Sequence, residues 1–283
     1  MEIANSVVLL TGASSGIGRT TALALARRGA RLAIVARRAP LLETLARECR
    51  TLGAACLQLP GDLGERNFAE RIVAATEEHF GQVDHVILNA GISSHRSVLH
   101  LAADEAERVM RINFLSPMWT TLTAIPALLC RDTGSIVFVS SFAAKVCPPR
   151  ESIYAASKSA MNSFAEGIRG DLQDSGIHVG VINPGAIDTP IWERRKNEDP
   201  NGFGGHKHPP EVITEAIFEV IEKRIPEITA PRRDPGLLSA RLLRAIAPAT
   251  LQAGMNRMEP PDRELVDRVR REARERRWRP TTN

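Results

Sequence analysis

The sequence predicts a doubly wound α/β domain built on a parallel sheet, with a small helical extension at its C-terminal end. Short apolar segments alternate with longer segments of helical periodicity, which is the order of a strand–helix–strand fold. The apolar segments are nearly continuous, as expected for strands that helices cover on both faces. The segments interpreted as strands are Val7–Thr11, Arg31–Ala36, the stretch around Cys56, Val83–Asn89, Ser135–Ser140 and His178–Asn183.

The segments between these strands are long enough for crossover helices, and the first two end near a glycine that can cap them. We expect one domain over residues 1–235 and a helical extension over 236–283. The polar stretch 192–210, rich in glycine and proline, is too long for an ordinary connection. It is either a disordered insertion or a mobile lid over a site, and we expect the lid. The elements predicted beyond it are a helix at Pro210–Lys223, a short strand at Glu227–Ala230, an amphipathic segment at Leu237–Met255 and a closing arginine-rich helix.

The composition is that of an ordinary globular protein. Of the 283 residues, 43% are hydrophobic and 25% are charged. No apolar run reaches the roughly 20 residues of a membrane-spanning helix, and the N-terminus lacks the pattern of a signal peptide. The 4 cysteines are scattered without the spacing of metal ligands. We therefore expect reduced thiols and a cytoplasmic protein.

Much of the net charge of +4 comes from the C-terminal tail, RREARERRWRP, at Arg270–Pro280. Acidic residues are interleaved with the arginines, which favours a solvated helix with Arg–Glu pairs over a nucleic-acid-binding surface. We expect no nucleic-acid partner. Contact between this extension and an anionic membrane surface is the alternative that the sequence leaves open.

The first strand runs into the sequence TGASSGIGRT, which contains Gly12, Gly16 and Gly18. Glycines between a strand and a helix allow the backbone to approach a pyrophosphate, and the helix N-terminus adds free N–H groups and a positive dipole end. This turn predicts a dinucleotide site and a Rossmann-type fold. The spacing is GxxxGxG. A trio of glycines is weak evidence by itself, because any tight turn can use glycine.

The second strand ends at Ala36, followed by Arg37 and Arg38. A fold that prefers NAD carries an acidic residue here, which accepts hydrogen bonds from the ribose 2′-hydroxyl. Arginine instead binds phosphate with two hydrogen bonds. The pattern favours NADP (NADPH) as the cofactor, with NAD as the alternative.

The chain from about Val7 to Pro190 resembles the short-chain dehydrogenase/reductase family, in motifs that follow one another in the family's order. TGASSGIG is similar to the family's cofactor turn, Asp62 to the acidic residue that meets adenine, and Asn89-Ala90-Gly91 to the motif that ends the fourth strand. The resemblance implies a fold of Rossmann type. The cofactor contacts that it and the residues above imply are Gly12, Ser14, Ser15, Gly16, Ile17, Gly18, Arg37, Arg38, Asp62, Leu63, Asn89, Ala90, Gly91, Tyr154, Lys158, Pro184, Gly185, Ile187 and Thr189.

The resemblance also places a catalytic tetrad at Asn113, Ser141, Tyr154 and Lys158. Tyr154 is the only tyrosine, and Lys158 stands four residues later, which puts both side chains on one face of a helix. A nearby ammonium lowers the pKa of a phenol, so that the phenol can exchange a proton with an alcohol or carbonyl. By resemblance, Ser141 hydrogen-bonds the substrate oxygen and Asn113 holds water near Lys158.

These residues predict an NADP(H)-dependent oxidoreductase that interconverts a carbonyl and an alcohol. The alternative is a catalytically idle protein that binds NADP as a sensor or scaffold. We expect an apolar or bulky small-molecule substrate and, from the family, a homo-oligomer. The histidines lack ligand spacing, so no metal is expected. The predicted pocket wall is Ala143, Val146, Pro148, Ala186, Trp192 and Phe203.

Overall fold

A computed structural model describes residues 1–193, 205–258 and 262–274 of the chain. Its centre is one sheet of seven strands, all parallel, in the order β3-β2-β1-β4-β5-β6-β7. The strands are β1 Val7–Thr11, β2 Arg31–Ala36, β3 Cys56–Pro60, β4 His85–Leu88, β5 Gly134–Val139, β6 Ile177–Pro184 and β7 Glu227–Ala230. The predicted α/β fold and its strands are confirmed.

Helices connect these strands and cover both faces of the sheet. They are α1 Gly16–Arg27, α2 Ala39–Thr51, α3 Arg66–Phe80, α4 Ala103–Met110, α5 Ser116–Arg131, α6 Ser152–Asp171, α7 Glu211–Lys223, α8 Pro235–Ile246, α9 Pro248–Met258 and α10 Arg263–Arg274. A π-helical turn, Arg111–Leu115, joins α4 to α5, and a 3-10 turn, Phe142–Ala144, follows β5.

Burial on both faces explains why the strands lack strict alternation. Every residue of β1, β5 and β6 is buried. Within β1, Val8 and Leu10 belong to the apolar cluster on one face, whereas Leu9 belongs to the cluster on the other. Successive side chains of a strand point to opposite faces, so a strand with helices on both sides must be apolar throughout.

The strand order reverses between β1 and β4. From β1, the strands β2 and β3 follow toward one edge of the sheet, whereas β4 lies on the other side of β1 and β5–β7 follow toward the opposite edge. In an open parallel sheet, a crevice forms beyond the carboxyl ends of the strands at such a reversal. The glycine turn after β1 and Asn89-Ala90-Gly91 after β4 therefore meet at this crevice.

The segment Ala103–Arg131 forms one continuous helical rod through α4, the π-helical turn and α5. Among the described residues it alone is long and apolar enough to cross a membrane, by length and composition only. Half of its apolar window is buried inside the protein, and Trp119 and Leu128 belong to the core. We therefore interpret it as a core helix.

The amphipathic segment predicted at Leu237–Met255 is divided into two helices, α8 and α9. The break falls at Ala247, whose φ of −145° is not helical, immediately before Pro248. Proline has no N–H group and disfavours helical geometry in the residue before it. Most of the lid predicted at 192–210 lies outside the described residues, as do 275–283 of the basic tail.

Candidate active site

The glycine turn after β1 is closely packed against the end of β4. Gly12 and Gly16 have φ angles of +70° and +51°, a conformation that strains other residues. A Cβ on Gly12 would stand 2.8 Å from the Cα atom of Ala90, and a Cβ on Gly18 would overlap the carbonyl oxygen of Gly12. The turn therefore exposes backbone without side chains at these positions, and its last part, from Gly16, is the start of α1.

Hydrogen bonds of Thr11 and Asn89 connect the end of β1 to the end of β4. The Thr11 hydroxyl oxygen accepts hydrogen bonds from the backbone N–H groups of Asn89 and Ala90, at 3.0 and 3.1 Å. The Asn89 amide donates to the carbonyl oxygens of Thr11 and Gly12, at 3.0 and 3.3 Å. These bonds hold the predicted cofactor turn in one shape.

The two arginines after β2, Arg37 and Arg38, contact different groups. The Arg38 guanidinium donates to the hydroxyl oxygens of Ser14 and Ser15, at 2.9 and 2.7 Å, and so lies over the glycine turn. The Arg37 guanidinium lies 3.8 Å from the Asp62 carboxylate, and half of the Arg37 side chain is exposed.

Asp62 follows β3 and stands between two cations. Its second cationic neighbour is Arg108, at 3.7 Å, and its other carboxylate oxygen accepts a 2.9 Å hydrogen bond from the Gly64 backbone. Leu63 is buried beside it. These contacts fix a carboxylate and two guanidiniums at the edge of the crevice.

Lys158 is buried, and its ammonium donates a 2.9 Å hydrogen bond to the carbonyl oxygen of Val139. Burial lowers the pKa of Lys158 to about 8, because the charged form loses its hydration. An ammonium with this pKa can release its proton near neutral pH.

Asn113 lies beside Lys158. A Cβ placed on Gly91 would stand 3.4 Å from both Asn113 Oδ1 and Lys158 Nζ. Asn113 is held by two hydrogen bonds with the Ile92 backbone, at 2.8 and 3.0 Å, and donates a third to the Ser157 hydroxyl at 3.1 Å. It sits in the π-helical turn, a local widening that is frequent at functional sites.

Ser141 and Tyr154 face the same cavity as Lys158. Ser141 precedes the 3-10 turn, and its hydroxyl oxygen accepts a 3.1 Å hydrogen bond from the Ala143 N–H. Tyr154 lies in the first turn of α6, one helical turn before Lys158, as the spacing predicts. Three residues of the predicted tetrad therefore line one cavity, and the fourth, Asn113, lies near Lys158.

The segment after β6 closes the cavity from another side. The Gly185 N–H donates to the Ala230 carbonyl at 2.8 Å, and Ile187 pairs with His208 in an isolated parallel bridge. Thr189 reaches back to the glycine turn, since a Cβ on Gly16 would lie 2.9 Å from its methyl group. The predicted cofactor residues that line the cavity are Ile17, Asn89, Gly91, Tyr154, Lys158, Pro184, Gly185, Ile187 and Thr189.

The cavity has a volume of about 680 Å³ and is mostly apolar. Five residues of the predicted wall line it, namely Ala143, Val146, Pro148, Ala186 and Trp192, whereas Phe203 lies outside the described residues. The C-terminal extension supplies a wall that the sequence analysis did not foresee, made of Leu237, Ala240, Leu251, Met255 and Met258. No local motif marks these positions, because the fold alone brings them over the crevice.

A buried pair of polar residues also lines the cavity. His95 Nδ1 lies 3.6 Å from the Glu151 carboxylate, and neither residue was among the predicted site residues. Glu151 immediately precedes α6, so the helical periodicity that relates Tyr154 to Lys158 does not extend to it. Within the described part of the chain, no group of three His, Cys, Asp or Glu side chains is placed to hold a metal ion.

Known proteins share both the sequence motifs and the fold. The profile of the short chain dehydrogenase family matches residues 6–200. The 11-beta-hydroxysteroid dehydrogenase-like 3 protein of Arabidopsis thaliana is 39% identical over 66% of this chain and 61% of its own length, so the chain spans less than two thirds of that relative. The dehydrogenase/reductase SDR family member 7B of Bos taurus is 31% identical over 87% of this chain and 79% of its own.

Solved structures show the same fold. A short chain dehydrogenase/reductase from Burkholderia phymatum, in complex with NAD, superposes with a TM-score of 0.80 at 22% identity, covering 89% of this chain and 97% of that one. Levodione reductase superposes with a TM-score of 0.75 at 24% identity, covering 81% and 97%. With the profile match over most of the chain and the 31% identity to the bovine relative, these likenesses show that the protein belongs to the short-chain dehydrogenase/reductase family of oxidoreductases.

Proposed function

We propose that this protein interconverts a carbonyl and an alcohol on a bulky, largely apolar substrate, with NADP(H) as its cofactor. The observation that supports this most strongly is the convergence of Ser141, Tyr154 and Lys158 on one apolar cavity that extends to the glycine turn. Polar groups of these three types, set in an otherwise apolar cavity, suit the orientation and protonation of a single oxygen atom.

The residues at the crevice fit a dinucleotide. Gly12 and Gly18 leave no room for a side chain, so the backbone of the turn can approach a pyrophosphate. The free N–H groups at the start of α1 face the same place and favour an anion. The segment Pro184–Thr189 lines the cavity and would hold the nicotinamide end.

Arginine geometry supports NADP over NAD. Hydrogen bonds to Ser14 and Ser15 already orient Arg38 over the glycine turn. Arg37 is the residue immediately before it. Both would meet a 2′-phosphate on the adenosine ribose with charge-assisted hydrogen bonds. In a fold that prefers NAD, a carboxylate near the end of β2 accepts hydrogen bonds from the ribose. In this chain β2 ends at Ala36, which has no such group.

In the proposed reaction, Tyr154 transfers the proton and Ser141 orients the substrate oxygen. When bound, the nicotinamide ring supplies or accepts the hydride. The Ser141 hydroxyl donates a hydrogen bond to the reacting oxygen. The Tyr154 hydroxyl gives that oxygen a proton during reduction and removes the proton during oxidation. The Lys158 ammonium stabilises the phenolate that remains. By the family resemblance, Asn113 would hold water near Lys158 for proton relay.

The lining of the cavity supports an apolar substrate. Its volume of about 680 Å³ lies within the range of sites for drug-sized ligands and is shared between the substrate and the nicotinamide end of the cofactor. The Arabidopsis relatives carry the name 11-beta-hydroxysteroid dehydrogenase, which denotes a hydroxyl on a rigid polycyclic compound. We therefore place polycyclic or long-chain secondary alcohols and their ketones first among candidate substrates.

A turnover screen tests this function. Purified protein is incubated with NADPH and a panel of ketones, and with NADP⁺ and the matching alcohols, while the absorbance of the reduced cofactor is followed. We expect turnover of bulky apolar members of the panel and weaker turnover of small polar ones. Tight NADPH binding without turnover of any member would support the catalytically idle sensor or scaffold instead.

A further inference from the structure

Helix α8 carries an exposed apolar stripe, formed by Leu238, Leu242 and Ile246. These side chains are 57%, 60% and 69% exposed, and they follow one another at intervals of four residues. Such spacing places them on one face of the helix. Single exposed apolar residues are common, but a continuous row of large ones marks an interaction surface. No residue of α8 is buried, so the helix lies on the surface of the protein.

The opposite face of α8 belongs to the substrate cavity. Leu237 and Ala240 line it from α8, and Leu251 and Met255 line it from α9. Met258, at the end of α9, lines the cavity and is also 85% exposed. The cavity therefore opens to the surface beside Met258, on the same pair of helices that carries the exposed stripe.

The charge of this helix pair is entirely positive. From Pro235 to Met258 the sequence contains no aspartate or glutamate, and its charged residues are Arg241, Arg244 and Arg257. All three side chains are exposed. A helix with an apolar face, exposed arginines and no acidic residue is complementary to an anionic lipid surface.

We propose that α8 docks on an anionic lipid surface, with its stripe among the upper acyl chains and its arginines at the headgroups. An apolar substrate dissolved in the lipid would then reach the cavity through the opening at Met258. The docking is independent of the proposed function, whereas this route of entry rests on it.

A second copy of the chain is the competing occupant of the stripe. A two-fold contact would place identical surfaces against each other and bring the arginines of one helix toward those of its copy. No acidic residue of α8 or α9 is present to offset that repulsion. The charge pattern therefore favours lipid over self-association.

Vesicle sedimentation tests the docking without any substrate. The full-length protein is mixed with vesicles of phosphatidylcholine alone or of phosphatidylcholine and phosphatidylglycerol in equal parts. We expect at least about tenfold stronger binding to the anionic vesicles, weakened by added salt. Leu238→Gln/Leu242→Gln should lower that binding at least about tenfold. The matched control is Leu41→Gln/Leu52→Gln, at side chains 42% and 39% exposed in α2 and at the residue that follows it, and it should bind as wild type.

The charge contribution is tested with Arg241→Gln/Arg257→Gln, which should weaken binding to anionic vesicles and leave binding to neutral vesicles unchanged. NADPH affinity is measured in every variant, and an unchanged value would show that the fold is intact.

Equal vesicle binding by wild type and the stripe variant would overturn the proposal. Absence of vesicle binding, with a smaller assembly for the stripe variant in analytical ultracentrifugation, would assign the stripe to a contact between copies. A failed turnover screen would leave the vesicle result unaffected.

Discussion

The hydroxyl of Ser140 donates a 3.2 Å hydrogen bond to the backbone carbonyl oxygen of Lys158. This bond engages the Ser140 hydroxyl with α6, whereas the hydroxyl oxygen of Ser141 accepts a hydrogen bond from the Ala143 N–H, and both residues line the cavity. The two serines have the same chemistry and are adjacent in sequence. The alternation of side chains along an extended chain accounts for the different partners of their hydroxyl groups. They therefore form a matched pair for separating a catalytic role from a structural one.

Ser141→Ala should lower kcat by about tenfold or more, because the substrate oxygen loses one donor that orients it and stabilises its developing charge. Ser140→Ala should leave kcat nearly unchanged and lower the free energy of unfolding by about 0.5–1.5 kcal/mol, the usual contribution of one hydrogen bond. Steady-state kinetics and urea denaturation of both variants measure the two effects. The opposite outcome, with Ser140→Ala inactive and Ser141→Ala active, would contradict the assignment.

Lys158 is expected to make stability depend on pH at alkaline values. Its pKa is about 8 in the folded protein, because of burial, against an ordinary value of 10.5. Between these values the unfolded chain binds more protons than the folded one, so stability rises with pH. Below about pH 8 the folded protein holds a buried ammonium, at a cost of roughly 3 kcal/mol. Relative to Lys158→Met, the wild type should therefore gain about 3 kcal/mol of stability between about pH 7.5 and pH 10.5.

Denaturant unfolding of both proteins across this range, without cofactor, measures the difference. Comparing the pH dependence removes the constant effect of losing the bond to Val139. Lys223→Met is the control, since the Lys223 side chain is 66% exposed, and it should show little change with pH relative to wild type. A wild type and a Lys158→Met variant with parallel stability curves would show that the ammonium is not destabilised by burial.

Arg37 and Arg38 should determine the choice between the two cofactors. Arg37→Ser and Arg38→Ser should each weaken NADPH binding by about tenfold or more, the loss expected for a charge-assisted contact of about 1.5–3 kcal/mol. NADH binding should change little in either variant. Arg19→Ser is a matched control, because that exposed arginine is paired with Glu48 on the outer surface. Fluorescence titration of both reduced cofactors measures the affinities, and equal affinity of the wild-type protein for NADH and NADPH would refute the NADP assignment.

Two glycine-to-alanine changes should have opposite effects, although both positions are helical. A Cβ on Gly18 would overlap the Gly12 carbonyl, so Gly18→Ala should push α1 away from the turn and weaken NADPH binding by about tenfold or more. Gly167 lies in α6, and an added Cβ would meet no atom within 4 Å apart from its chain neighbours and the nearby backbone of its own helix. Gly167→Ala should leave binding unchanged and stabilise the protein by about 0.5–1 kcal/mol. Cofactor titration and thermal unfolding distinguish the two.

Local patterns in the sequence were sufficient to predict the sheet and the shared helix face of Tyr154 and Lys158. The strands are apolar on both faces, so each produces a strong signal that does not depend on its neighbours. Tyr154 and Lys158 share one helix, so their spacing alone fixes their common face. Arg38 illustrates the limit of such reasoning, because its contact with Ser14 and Ser15 depends on how the ends of β1 and β2 meet.

The cavity wall was only partly predictable for the same physical reason. Leu237, Leu251 and Met255 come from helices remote in sequence from the tetrad, and their pattern is that of any amphipathic helix. Which face of α8 covers the crevice depends on tertiary packing. The buried His95–Glu151 pair likewise joins a loop after β4 to the start of α6, so no local spacing relates the two residues.

Tyr154→Phe provides the most direct test of catalysis, because it removes one oxygen atom and keeps the ring. Tyr154 lines the cavity, and its backbone carbonyl accepts a 2.7 Å hydrogen bond from Ser157, which the substitution leaves in place. If the hydroxyl transfers the proton, kcat should fall by about 10²–10⁴-fold, the usual contribution of general acid–base catalysis, while the Kd for NADPH stays near the wild-type value. Single-turnover kinetics should show the loss in the hydride-transfer step. The chain contains no other tyrosine, so no neighbouring phenol can substitute for it. A Tyr154→Phe protein with full activity would show that Tyr154 is not the proton donor and would leave NADP binding as the better account of the site.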